Sequence, residues 1–280
     1  MHVLNRYQSQ PTQDGDGVKI SRVADFAGRL FDPYLMIDEL KSDDKSDYMG
    51  GFPPHPHRGI ETFTYIIKGG FEHSDQLGNR KRIASGDVQW MSTGRGVLHA
   101  EMPLMDNVND GLHGFQIWLN MPAKDKMNPP IYQDTLDVSL PVLENDDGAQ
   151  LRVLAGDWYF AGHRGISPLN RLAGQGEIAD LRLSAGGKAS LSLTHKEQVR
   201  VYIHTGGLAS DGHQAGQILI VDSSQPITIE AGEQGAGVLL LTGKPIKERI
   251  VHMGPFVMNT EQQIRQAVQD YQMGKFGKID

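Results

Sequence analysis

Cysteine is absent from the 280 residues of the chain. Without thiols the protein can form no disulfide framework, no thiolate metal site and no cysteine nucleophile. A bound metal ion would have to be held by nitrogen and oxygen ligands, which suits iron, manganese, nickel, copper or zinc and excludes iron–sulfur chemistry. The ligand types alone do not choose among these ions.

Long apolar runs and clustered basic residues are also missing. No segment approaches the roughly 18 consecutive apolar residues of a membrane-spanning helix, and the opening MHVLNRYQSQPTQDGDG lacks the apolar core of a signal peptide. The formal net charge of -7 argues against a nucleic-acid-binding surface, which needs clustered Lys and Arg. We therefore expect a soluble, cytoplasmic protein that binds neither membranes nor nucleic acid directly.

The signatures of several enzyme classes are lacking as well. The sequence has no P-loop, no dinucleotide fingerprint after a strand, no nucleophile elbow around a serine and no HExxH helix. Chemistry in this chain must therefore come from a different kind of site.

Glycine and proline are plentiful, with 33 and 14 residues respectively. Short runs such as 61–67, rich in Thr, Phe, Tyr and Ile, alternate with turn signals such as Gly78-Asn79 and Gly86-Asp87. This alternation of strand-forming runs and turn signals predicts an all-β protein built from many short strands. The apolar spacing of Ile264, Ala267, Val268 and Tyr271 and the capping-box spacing of Thr260 and Gln263 predict one short C-terminal helix.

A proline-rich break divides the chain. Pro122, Pro129 and Pro130 flank a charged run at 124–126, and paired prolines cannot join a central strand. We predict a boundary here, with an N-terminal barrel at 1–128 and a C-terminal barrel, ending in the helix, at 129–280; the ligand pairs described next lie in the first barrel. The histidines of the second half form no ligand pair, so we expect no metal ion there: His163, His195, His204 and His213.

Two pairs of metal-ligand residue types have the same spacing. His55 with His57 and His99 with Glu101 are each two residues apart. In a β-strand, residues two apart lie on the same face. If the two strands meet, three imidazoles and one carboxylate converge, which is a divalent-metal site with positions left for water or substrate.

The same segments resemble a known family. Gly50, His55, His57, Glu61 and Gly69 look like the first motif of the cupin superfamily, and Gly86, Gly94 and His99 look like its second motif. The runs GGFPPHPHRGIETFTYIIKGG, SGDVQWMSTGRGVLHAEMP and GPFVMNTEQQIRQAVQDY resemble the pirin family closely. This resemblance implies two cupin-type β-barrels of the jelly-roll kind, with iron or a similar metal held by His55, His57, His99 and Glu101.

The carboxylate ligand has two candidates. Cupins in general use a position that corresponds to Glu61, whereas pirins use the one that corresponds to Glu101. Glu61 lies four residues beyond His57 and would also face inward in a continuous strand. We expect Glu101 to be the ligand and Glu61 to be a neighbour or a structural hydrogen-bonding residue.

The resemblance implies an activity and leaves an alternative. Pirins are similar to cupin quercetinases, which open flavonols with O2 and release carbon monoxide. We therefore expect a dioxygenase that binds one divalent ion per chain and acts on a flat aromatic substrate. Fe(II) is the expected ion, and Mn, Ni, Co, Cu and Zn are the alternatives. Glu101 is expected to be both a metal ligand and the acceptor of the substrate proton. The alternative is a metal-responsive module that binds another protein and regulates transcription or a metabolic enzyme. The sequence shows no motif for such a partner.

Overall fold

The structure is a computed structural model that describes residues 1–105, 111–210 and 212–279. Strands dominate and one α-helix lies near the C-terminus, so the predicted all-β class and the terminal helix are confirmed. Within the described residues no helix is long and apolar enough to span a membrane.

The strands are short and follow one another closely. In chain order they are β1 (Val3–Gln8), β2 (Gln10–Asp14), β3 (Val18–Asp25), β4 (Tyr34–Ser42), β5 (Phe52–His57), β6 (Ile60–Lys68), β7 (Gly70–Asp75), β8 (Arg80–Ala84), β9 (Val88–Ser92), β10 (Val97–Pro103), β11 (Leu112–Asn120) and β12 (Ile131–Asp134). They continue with β13 (Val142–Glu144), β14 (Ala149–Ala155), β15 (Asp157–Phe160), β16 (His163–Ile166), β17 (Glu177–Leu183), β18 (Lys188–Leu191), β19 (Val199–Leu208), β20 (Gln217–Val221), β21 (Ile227–Thr242), β22 (Val251–Met253) and β23 (Phe256–Met258), and end with helix α1 (Glu261–Gln272).

Two compact units share these elements. The site-bearing unit comprises residues 11–26, 34–136 and 246–280, and the companion unit comprises residues 1–10, 27–33 and 137–245. Both units are discontinuous in sequence, so they do not follow a single boundary such as the one predicted after residue 128. The reason is strand pairing over long sequence separations: β1 pairs with β20, and β12 pairs with β9.

The site-bearing unit contains two facing sheets. A seven-stranded sheet has the order β12-β9-β6-β11-β4-β3-β2, and a four-stranded sheet has the order β5-β10-β7-β8. Buried apolar side chains join them at one end, with Ile20, Leu40 and Ile66 from the first sheet packing with Phe71 and Ile83 from the second. The space between the sheets therefore has an apolar end and, as described below, a polar one.

Helix α1 belongs to the site-bearing unit. The Thr260 side chain accepts a hydrogen bond from the backbone N–H of Gln263 and the Gln263 side chain accepts one from Thr260, which is the predicted capping box. Ile264 and Ala267 are buried against Phe256 and Met258 of β23. The amphipathic spacing thus produces core packing.

An ion pair ties α1 to the chain beside His57. Arg58, which is buried, donates from Nη1 to Asp270 Oδ2 at 2.9 Å and from Nε to the Arg95 carbonyl at 2.6 Å. Its guanidinium also lies 4.7 Å from the ring centroid of Phe276. A hydrogen bond from Lys275 first, and then the hydrogen bond and charge of Arg58, hold the pKa of Asp270 at about 2, although burial opposes this. Asp270 is therefore an anion at any ordinary pH.

We expect Asp270→Asn to lower the free energy of unfolding by at least about 2 kcal/mol, because it leaves the buried Arg58 charge without its counterion. Urea denaturation of the metal-free protein measures this. Glu261→Gln is the matched control, since Glu261 forms an exposed pair with Arg265 at 3.8 Å and the substitution should change the value by less than about 0.5 kcal/mol. Equal losses in the two variants would contradict the expectation.

The companion unit is a second β-structure. Its large sheet has the order β1-β20-β19-β21-β17-β14-β13, β18 pairs with β21, and β15 and β16 form a hairpin. Its core is a large apolar cluster that includes Trp158, Leu181, Val201, Val238 and Leu240. His204, one of the scattered histidines, is buried and bonded through Nε2 to Asp180 at 3.0 Å.

Candidate metal centre

Strand β5 presents His55 and His57. It contains Pro53, Pro54 and Pro56 and lies at the edge of its sheet, where residues without an N–H are tolerated. The two imidazoles share one face, and their ring centroids are 4.8 Å apart. His55 Nδ1 donates to the Pro53 carbonyl at 2.8 Å, so its Nε2 keeps a free lone pair.

Strand β10 adds the third imidazole. His99 pairs directly with His55 across the antiparallel ladder. The His99 ring centroid lies 4.3 Å from that of His55 and 4.9 Å from that of His57. The structure thus brings together the three histidines that the spacing pairs, and their nitrogens could hold an ion.

Glu101 lies on the same strand and is buried. Its Oε1 accepts hydrogen bonds from Thr64 Oγ1 and Gln89 Nε2, both at 3.3 Å, and its Oε2 accepts one from Gln116 Nε2 at 2.9 Å. These three donors belong to the facing seven-stranded sheet. They fix the carboxylate near His99, with which it forms a second group of potential ligands.

Glu61 does not face this site, so the expectation of an inward Glu61 in a continuous strand is wrong. β5 ends at His57 and β6 begins at Ile60, because Gly59 adopts a left-handed conformation with φ of 82°. In β6, Glu61 lies on the face opposite to Thr64. It accepts a hydrogen bond from Trp90 Nε1 at 3.1 Å, in keeping with the structural role that was the other expectation.

Several ring nitrogens at the site are buried and lack a hydrogen-bond partner in the described part of the chain. They are His57 Nδ1, His73 Nδ1 and both nitrogens of His99. Burial, followed by repulsion from His55, lowers the pKa of His57 well below its ordinary value. Burial, followed by repulsion from His55, His57 and His73, does the same for His99. Neutral imidazoles with free lone pairs are the form that binds metal ions.

A cavity of about 540 Å³ lies beside this group of side chains and is open to His57. Its lining includes His55, His57, Glu101 and Gln116 at one wall, and its apolar walls include Phe26, Phe52 and Trp118. The Trp118 ring packs edge-on against His57 with centroids 4.9 Å apart. The volume is in the usual range for small-molecule sites.

The aromatic residues of the cavity differ from those of the strong strand patterns. From the sequence, core packing is the expected role of Phe63, Tyr65, Trp90 and Phe115, and a wall for a flat aromatic ring is the second interpretation. The strand register places all four on the face shared with Glu61, away from Thr64 and Gln116, and they are buried there. Core packing is therefore their role.

A polar pair forms another part of the cavity wall. Arg22 donates from Nε and Nη2 to the two carboxylate oxygens of Asp38, each at 2.8 Å, across the β3–β4 ladder. Burial raises the pKa of Asp38 to about 6, although the hydrogen bonds and charge of Arg22 oppose this. Asp14 and Asp25 lie nearby in the lining.

One histidine beside the site, His73, lies outside the predicted ligand set. His73 on β7 pairs with Glu101 of β10, and Asp75 pairs with His99. His73, His99 and Glu101 form the second group whose ligand atoms lie within 4.8 Å of one another. His73 and Asp75 are also two residues apart, so the sequence spacing that predicts the other ligand pairs applies to them as well.

Sequence comparison places the whole chain in a family. The family model described as Pirin matches residues 17–119, and the Pirin C-terminal cupin domain matches residues 178–277. A Vibrio cholerae protein named "putative quercetin 2,3-dioxygenase" is 44% identical over 96% of this chain and 95% of its own length. The chain belongs to the pirin family. The predicted resemblance and the two-domain cupin fold are confirmed.

Other pirin relatives agree. A pirin-like protein of Caulobacter vibrioides is 37% identical over 98% of both chains. Among solved structures, a quercetin 2,3-dioxygenase of Acinetobacter baumannii superposes with a TM-score of 0.85 and 30% identity, covering 100% of this pirin and 99% of that chain.

We expect the metal-free pirin to lose stability in acid. The lowered pKa values of His57 and His99 mean that the unfolded chain, with histidines that titrate near pH 6.5, binds more protons than the folded one. Stability should therefore be full above about pH 6.5 and fall below it, by about 1.4 kcal/mol per pH unit for each ring.

Urea denaturation between about pH 7.5 and pH 5 measures this slope. His99→Gln should reduce the slope, whereas His195→Gln, at an exposed position, should not. A pH-independent stability for the wild type would show that these rings are protonated as readily as free histidine.

Proposed function

We propose that this pirin binds one divalent metal ion through His55, His57, His99 and Glu101. We further propose that the chain cleaves flavonol-type substrates with O2 and releases carbon monoxide. The observation that carries the proposal is the convergence of three buried or half-buried imidazoles, with centroids 4.3–4.9 Å apart, two of which, His55 and His57, line a 540 Å³ cavity with aromatic walls. The names of the Vibrio and Acinetobacter relatives agree with it.

The residues fit a metal ion on chemical grounds. Buried polar atoms in native proteins nearly always have partners, yet His57 Nδ1 and both nitrogens of His99 have none in the described chain. An ion supplies a partner for one nitrogen of each ring. Three imidazoles and one carboxylate suit Fe(II), which we favour, and also Mn, Ni, Co, Cu or Zn.

The chain's own residues would bind and orient the substrate. Phe26, Phe52 and Trp118 provide flat apolar walls for an aromatic ring system. Glu101, held by Thr64, Gln89 and Gln116, is the group placed to accept the proton of a substrate hydroxyl. The ion, when bound, would favour the deprotonated form of that hydroxyl.

Metal content tests the first part of the proposal. After reconstitution and removal of excess ion, elemental analysis should give close to one equivalent per chain, because the two groups of potential ligands share His99. His57→Ala should lower the content to a small fraction of this. Two equivalents in the wild type, or full retention in the variant, would refute the ligand set.

Turnover tests the second part, with Glu61 as the matched control for Glu101. With quercetin under air, Glu101→Gln should lose about 100-fold or more in rate per bound ion, because the amide keeps the shape of the carboxylate and loses its basicity. Glu61→Gln should stay close to the wild type, since Glu61 faces away and its Trp90 contact can be kept. Rates are divided by measured metal content in each variant. A larger loss of rate in Glu61→Gln than in Glu101→Gln would instead identify Glu61 as the carboxylate ligand, as in cupins in general.

The protein-binding alternative is decided by the same assay. If the wild type turns over no flavonol with any of the six metals, the role of a metal-responsive binding module becomes the better proposal. The cytoplasmic location stays a prediction.

A further inference from the structure

We propose that His73 and Asp75 are positioning residues for the metal centre. When an ion takes one nitrogen of His99, the other nitrogen donates to His73, which itself donates to Asp75, so that the three residues form a directed hydrogen-bond chain. The chain fixes the ring orientation of His99 and decides which of its nitrogens is left for the ion. This inference rests on the proposed metal centre.

Asp75 sets the direction of the chain. Its Oδ2 lies 3.1 Å from His73 Nε2, and both residues are buried. Its Oδ1 accepts from the backbone N–H groups of Leu77 at 2.9 Å and Asn79 at 3.1 Å, which hold the carboxylate in place. A carboxylate anion only accepts, so His73 Nε2 carries a proton, and Nδ1 is the ring nitrogen left to act as an acceptor.

The His73 ring is held rigidly. It is fully buried and stacks on Tyr132, with centroids 5.0 Å apart and planes 24° apart. Within the described chain, His73 Nδ1 has no hydrogen-bond partner. An orphaned acceptor is therefore fixed next to the metal-binding strand.

His99 supplies the missing donor. Its ring centroid lies 5.5 Å from that of His73, and neither of its nitrogens has a partner in the described residues. If an ion takes one nitrogen, the other must carry a proton and needs an acceptor in a buried environment. Two carboxylates near His99 are already engaged: Glu101 accepts three hydrogen bonds and is a proposed ligand, and Asp75 accepts from His73, Leu77 and Asn79. His73 Nδ1 is thus the acceptor that remains.

The same principle is visible at His55. There the outward nitrogen donates to the Pro53 carbonyl at 2.8 Å, which leaves the other nitrogen for the ion. Metal-ligating histidines commonly have such an outer partner, and loss of the partner typically costs about 10–100-fold in metal affinity.

Nitrogen NMR of histidine-labelled, zinc-loaded protein tests the chain without substitutions. We expect His73 to be neutral with its proton on Nε2, and the His99 nitrogen that is not bound to zinc to be protonated. A proton on His73 Nδ1 would reverse the direction and overturn the proposal.

Asp75→Asn tests the chain through zinc affinity, measured by competition with a chelator. The two backbone N–H groups keep the amide oxygen where Oδ1 was, so the amide nitrogen faces His73. His73 would then carry its proton on Nδ1, where it opposes the His99 N–H. We expect about 10–100-fold weaker binding with one equivalent still bound at saturation.

Asn79→Ala is the matched control. It removes the 2.8 Å bond from Asn79 Nδ2 to Asp75 Oδ2 and leaves His73 untouched, so affinity should stay within about twofold. His73→Phe keeps a ring against Tyr132 and should weaken zinc binding as much as Asp75→Asn does. In the double variant, adding Asp75→Asn to His73→Phe should cause no further loss of zinc affinity.

The outcomes separate the possible failures. Wild-type affinity in Asp75→Asn, or an equal loss in Asn79→Ala, would overturn the chain and leave the metal centre standing. Loss of the bound equivalent in His73→Phe at saturating zinc would make His73 a ligand, which also overturns it. A wild-type protein that takes up no metal ion would remove the metal centre and the chain together.

Discussion

The position of β10 between β5 and β7 is the constraint on which the site depends. On one side it sets His99 opposite His55, and on the other it sets Asp75 opposite His99 and His73 opposite Glu101. Directly paired residues share a face, so one ladder gathers every imidazole and carboxylate of the centre. A slip of β10 by one residue would turn His99 and Glu101 to the other face and dismantle the site.

Much of the site could be predicted because strands have a period of two. That period alone pairs His55 with His57 and His99 with Glu101, and the structure brings the three histidines together. The period gives the wrong direction for the Glu61 side chain, because Gly59, in a left-handed conformation, separates β5 from β6, whereas the sequence pattern predicts one continuous strand. His73 escaped notice because a His–Asp pair resembles a structural hydrogen bond, and which strand lies beside β10 is not encoded locally.

The sequence predicts most of the individual strands and the helix, but it does not predict which strands pair or how they are divided between the two units. Turn glycines mark strand ends and a capping box marks the helix, and both signals are local. Pairing of β1 with β20, or of β12 with β9, depends on contacts between segments far apart in sequence. The face on which Phe63 or Trp90 lies depends on the same distant pairings, which is why candidate pocket aromatics could not be told from core residues.

The interleaving of the two units has a consequence for biosynthesis. His252 and Pro255 line the same cavity as His55 and His57, yet the whole companion segment 137–245 is translated between them. At ~5–20 residues per second, that delay is on the order of ten seconds. During this time the nascent chain would expose a half-built pocket with three imidazoles to the free metal ions of its surroundings. The order of translation therefore leaves the three imidazoles accessible before the residues that complete the cavity wall have been made.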